Sequence, residues 1–168
     1  MNSPIRHLSL IAFLLGFALH PASEADAQPH GGGRGMPEEL HGVIHQLFAG
    51  HEQIKRSVEL SKTGYTAKTT SEDPELAKAL QSHVSQMEKR LEGGLSVRRW
   101  DPAFVEFREH YEDLNTGIEY IKGGVAVSVT GTTPASIKVA HNHAKIISGF
   151  VKHGEERMHY SHPKAVTE

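Results

Sequence analysis

The sequence predicts an α+β domain: a four-stranded antiparallel sheet with helices packed on one face, built from two copies of a helix–β-hairpin–helix unit related by a pseudo-twofold. Three observations predict it. The chain matches itself at a gapless shift of 60, and between positions 59–94 and 119–154 eight of 36 pairs are identical, against about two from average composition. They include Glu59/Glu119, Gly64/Gly124, Pro74/Pro134, His83/His143 and Gly94/Gly154. Val125, Val127 and Val129 alternate with Ala126, Ser128 and Thr130, the two-residue period of a strand with one apolar face. Asp73-Pro74, Asp101-Pro102 and Thr133-Pro134 each place an oxygen-bearing cap before a proline suited to the first helical position.

Taken in order, each unit opens with a helix. Leu40, Val43, Ile44, Leu47, Phe48, Ile54 and Val58 recur at helical spacing, as do Phe104, Phe107, Leu114 and Ile118 in the second copy. Thr63-Gly64 and Gly123-Gly124 then predict hairpin turns that use positive φ. The second helices start at Pro74 and Pro134 and stop at Gly93-Gly94 and Gly154. The repeats therefore span about 41–94 and 101–154 within one domain, 37–157, followed by a loose tail, 158–168. A swapped homodimer satisfies the same pattern.

Residues 1–27 read as a cleaved signal peptide: Arg6 and His7, an apolar run from Leu8 to Leu19, then Ala25-Asp26-Ala27. The run is shorter than the roughly 20 residues of a membrane span, so the expectation is a periplasmic or secreted chain without membrane insertion after cleavage. A mature Gln28–Glu168 has 141 residues, enough for one core, and residues 28–36 read as a flexible leader. Removing Arg6, Glu24 and Asp26 from the totals leaves 17 basic and 18 acidic side chains, which gives no electrostatic case for nucleic acid.

The chain has no cysteine, which excludes thiolate nucleophiles, iron–sulfur clusters, blue-copper thiolates and thioether-attached haem. Catalytic signatures are also missing. His51-Glu52 resembles the start of a zinc-protease helix, but position 55 is Lys. Paired acids such as Glu112-Asp113 read as solvated surfaces, and no enzyme activity is indicated. Histidine is the exception to this plainness. Of 13, His7 and His20 fall in the signal segment and 11 remain. Gln28-Pro29-His30 does not make an amino-terminal copper site, because Pro29 has no amide proton to lose.

Three histidines fall on or beside apolar faces: His51 amid Ile44, Leu47, Phe48, Ile54 and Val58; His83 beside Leu80, Val84 and Met87; His143 among Ala140, Ala144 and Ile147. Buried imidazoles need partners, and one shared metal satisfies several at once. The expected site therefore joins His51, His83 and His143, with Met87 and His162 as additions, around copper, zinc or non-covalent haem b. His141 points away from this site. The rival expectations are a structural or interaction module without metal, and a small-molecule sensor using the cleft between the repeats.

Overall fold

Capping chemistry fixes most helix starts in the structure, a computed structural model that describes residues 38–167. The signal segment, the Gln28 terminus and the 28–36 leader lie outside the described residues. Helix α1 (Glu38–Ala49) leads into a 3₁₀ turn (His51–Gln53) and the hairpin β1 (Ile54–Leu60) and β2 (Gly64–Ser71). Helix α2 (Pro74–Glu92) follows, capped by Asp73, whose carboxylate accepts from the Glu75 and Leu76 amides. The second half runs α3 (Pro102–Glu109), a 3₁₀ turn (Tyr111–Asp113), β3 (Leu114–Ile121), β4 (Gly124–Gly131) and α4 (Pro134–His153). Thr133 and Ser136 form a reciprocal capping box on α4.

The four strands make one antiparallel sheet in the order β1-β2-β4-β3, so β2 and β4 pair at its centre. Along β2, Tyr65, Ala67, Thr69 and Ser71 are buried while Thr66 and Lys68 are exposed. Helices α2 and α4 pack against β2 and β4, α1 against α2, and α3 against α4. Tyr65, Ala67, Val129, Val139 and Ala140 form one core cluster with Phe107 and Leu114; Val97, Ala103, Phe104 and Ile146 form a second. Among the described residues no helix is long and apolar enough to cross a membrane.

Three expectations change. Helix α1 stops at Ala49, and Ile54 and Val58 lie on β1 rather than on a helix; in the second half Leu114 and Ile118 likewise lie on β3. A spacing of four suits both a helix face and every second residue of a strand, so these apolar positions did not separate the two. The turn glycines also differ from expectation. Only Gly123 has positive φ (81°), whereas Gly64 and Gly124 are the first residues of β2 and β4. They are required by close strand approach instead: a Cβ on Gly64 would run into the Val129 carbonyl and meet Thr130 Cα at 2.8 Å, and one on Gly124 would meet Thr70 Cα at 2.9 Å. Substituting Val for Gly64 should therefore destabilise by about 2 kcal/mol in urea unfolding, through separation of β2 from β4. A loss below about 0.5 kcal/mol would contradict this reading of the contact.

The third change concerns the tail, which is anchored rather than loose. The Arg98 guanidinium donates to the Met158 and Tyr160 carbonyls at 2.9 Å each. Buried Glu106 accepts from the Ala165 and Val166 amides at 2.6 and 2.9 Å. Buried Asp101 accepts from the His162 amide and from His162 Nδ1–H at 3.0 and 2.8 Å. Arg98 holds a φ of 47°, uncommon for a residue with a Cβ, and its guanidinium stacks over Trp100 at 4.3 Å.

Candidate functional site

The inner sheet face and the helices over it line a cavity of about 900 Å³ that is partly open to solvent. The size falls at the upper end of small-molecule sites, which run to about 1,000 Å³. Its walls are mainly apolar: Ile44, Leu47 and Phe48 from α1, Val84 and Met87 from α2, Phe104 and Phe107 from α3, Val125, Val127 and Val129 from β4, and Ile147 and Phe150 from α4. Phe104 stacks on Phe150 with centroids 6.2 Å apart, and Phe48 meets Phe150 edge-on at 5.5 Å.

His51, His83, Met87 and His143 all line this one cavity. The ring of His143 lies against Phe107, centroids 4.3 Å apart, and its Nδ1 shares a hydrogen bond with the Tyr65 hydroxyl at 2.9 Å. Burial, with a smaller contribution from the nearby Arg56 cation, holds the His143 imidazole down to about 3, so it is neutral at pH 7. Burial also lowers His83 to about 4, and among the described residues its buried Nδ1 has no hydrogen-bond partner. Both residues are partly accessible and both line the cavity.

His51 reaches the cavity by a route different from the expected one. It lies in the 3₁₀ turn after α1, where Nδ1–H donates to the Val151 carbonyl at 3.0 Å. Gly154, with φ 53° and ψ −133°, packs on the face of this ring, where any side chain would collide with it. His162 stands apart: it is not in the cavity wall, its Nδ1 is committed to Asp101, and it touches the site only through the edge of Phe150 at 5.5 Å. His141 lies outside the cavity and spans to the first hairpin, Nε2 donating to the Ser61 and Gly64 carbonyls at 3.0 Å each. It therefore ties α4 to the first hairpin. Among the described residues no three of His, Asp and Glu are gathered as a metal-ligand group.

Among the polar members of the wall that sequence reasoning missed, Arg56 and Tyr65 lie together. Arg56 on β1 donates to Thr69 Oγ1 at 2.7 Å and to Ser148 Oγ at 3.3 Å. Tyr65 lies beside it, its phenol pushed up to about 12 by burial against the opposing influence of Arg56. The signal was present in strand alternation, since Arg56 sits between Ile54 and Val58 on the inward face of β1. The site thus combines an apolar body with a polar cluster of Arg56, Tyr65, Thr69 and His143, plus the unpartnered imidazole of His83. The chain matches no family model, no curated protein and no solved structure, so no family is assigned and the reading rests on this geometry alone.

Proposed function

We propose that the chain is an exported protein that binds non-covalent haem in its interior cavity, with His83 as the iron ligand. The observation that carries this is an apolar cavity of about 900 Å³ whose wall holds the His83 imidazole, neutral at pH 7 and without a hydrogen bond at Nδ1 among the described residues. That Nδ1 is shielded by protein, so the nitrogen that would reach iron is Nε2. A lone copper or zinc ion needs three or four protein donors in one place. Haem brings four nitrogens of its own and asks the protein for only one or two imidazoles and an apolar slot, which suits these residues better. His143 and His51 each commit only Nδ1, to Tyr65 and to the Val151 carbonyl, which leaves Nε2 of either ring as the second axial donor in this reading. The signal-peptide layout of residues 1–27 supports export.

Internal duplication belongs to the same proposal. Its supports are the identities at a shift of 60, the parallel element order, and the pairing of Ala67 with Val127, residues 60 positions apart, across the centre of the sheet. Duplication places His83 and His143 at matching positions on α2 and α4, with only one of them left unpartnered at Nδ1.

Haemin titration of the exported protein should give a 1:1 complex with a Soret band. His83→Ala should weaken it at least tenfold, while His153→Ala, outside the cavity, should leave it unchanged. Equal affinity in His83→Ala and the unsubstituted protein would overturn the assignment of His83. Stoichiometric copper or zinc uptake without haem, lost on substituting His83 or His143, would replace haem with a bare ion.

A further inference from the structure

We infer that Arg56 seats the carboxylate of an amphiphilic ligand whose apolar body fills the cavity. This rests on the cavity's being a ligand site, and not on iron or on His83. Arg56 projects from the inward face of β1, opposite Thr69 in the β1–β2 register. Its side-chain partners Thr69 and Ser148 are neutral hydroxyls, and the Tyr65 phenol beside it, pushed up to about 12, is neutral at pH 7 as well. Among the described residues no carboxylate lies within ion-pair distance of it. Arg98 shows the contrast: it also lines the cavity, but the buried Asp101 carboxylate and two backbone carbonyls satisfy it.

A guanidinium cannot relieve burial by giving up its proton, so it needs an anion, and the described residues offer none within ion-pair distance. Burial depresses the Arg56 pKa, and its titratable neighbours Tyr65 and His143 are both uncharged at pH 7. The cluster therefore carries one positive charge without an ion-pair partner among the described residues, in a mainly apolar wall whose one carboxylate is Glu88. The missing partner is a single negative charge on an otherwise apolar molecule. A planar carboxylate matches the remaining guanidinium donors in a bidentate fork. A phosphate dianion would require a second cation at this cluster. A long-chain fatty carboxylate and a porphyrin propionate share the inferred chemistry, and the experiment separates them.

The probes are cis-parinaric acid with its methyl ester, and metal-free protoporphyrin IX with its dimethyl ester, each titrated by fluorescence into the unsubstituted protein, Arg56→Gln and Arg56→Lys. At least one acid should bind tenfold or more tightly than its ester. Arg56→Gln should bring the acid down to the level of the ester without changing ester affinity, which also reports that the cavity is intact. Arg56→Lys, which keeps the charge and loses the fork, should fall between. A preference for parinaric acid alone identifies a fatty carboxylate, and one for the porphyrin alone identifies a propionate. The inference is overturned if neither acid binds saturably, if acid and ester bind alike, or if Arg56→Gln keeps the preference. It is also overturned if the whole effect moves to Arg90→Gln, another cavity arginine, whose Nε is buried without a partner. Because none of these probes contains iron, failure of haemin binding with the Arg56 effect retained would remove His83 as a ligand and leave Arg56 in place.

Discussion

Replacing Asp101 with Ala should cost about 3–5 kcal/mol and release the tail from the domain. The carboxylate is wholly buried and does four things at once. It caps α3 through the Ala103 amide at 3.2 Å, pairs with Arg98 at 3.4 Å, accepts from the His162 amide at 3.0 Å and accepts from His162 Nδ1–H at 2.8 Å. Its removal strands a partly buried guanidinium beside Phe104 and Phe150 and leaves an amide without an acceptor. Asp101→Asn keeps the cap and the size but not the charge, so its loss should be smaller. Urea unfolding gives the magnitude, and limited proteolysis within residues 158–167 reads the tail directly. A loss below about 1 kcal/mol with an uncut tail would show that the network contributes little. Met158 and His159 line the cavity, so a released tail should also weaken ligand binding.

The same region shows what could be read from the sequence and what could not. Asp101-Pro102 announced the start of α3 because capping and proline chemistry are local. The identical logic placed the starts of α2 and α4 and the stops at Gly93 and Gly154. The anchoring of His162 was illegible, since its partner is 61 residues away and no local rule joins Asp101 to a polar tail. The end of α1 failed for a different reason: Ile54 and Val58 satisfy two periods at once. That ambiguity had a functional cost. Read as helical, Arg56 falls on a polar flank; read as strand, it is a cation on a buried face and stands out immediately. That His51, His83, Met87 and His143 line one cavity was legible in part, through the identities at a shift of 60 and the stripe on α2. The cavity itself was not, because apolar side chains that fill a core and those that line an empty space have the same sequence pattern.

Acid should unfold the ligand-free protein steeply, and His143 should account for a measurable share of the slope. Its imidazole is held near 3 in the fold, against about 6.5 in the unfolded chain, so between those values the unfolded state binds a proton that the folded state refuses. Stability therefore rises with pH in this window: the contribution is complete above about pH 6.5 and is lost as pH falls towards 3. The loss approaches about 1.4 kcal/mol for each pH unit from His143, and a similar amount from His83 down to about pH 4, where its folded value lies. Refusal of the proton has a structural basis. His143 is pressed against Phe107, faces an apolar cavity and has the Arg56 cation nearby, while Tyr65 already uses its Nδ1. Urea unfolding at pH 7, 6 and 5 should show the decline, and His143→Gln, which keeps a hydrogen-bonding group for Tyr65 but does not titrate, should reduce it by about 0.7 kcal/mol between pH 7 and 6 and about 1.2 kcal/mol between pH 6 and 5. If His143→Gln is offset from the unsubstituted protein by the same amount at all three pH values, the imidazole takes up its proton in the fold as readily as in the unfolded chain, and the proton-refusing cavity wall is wrong.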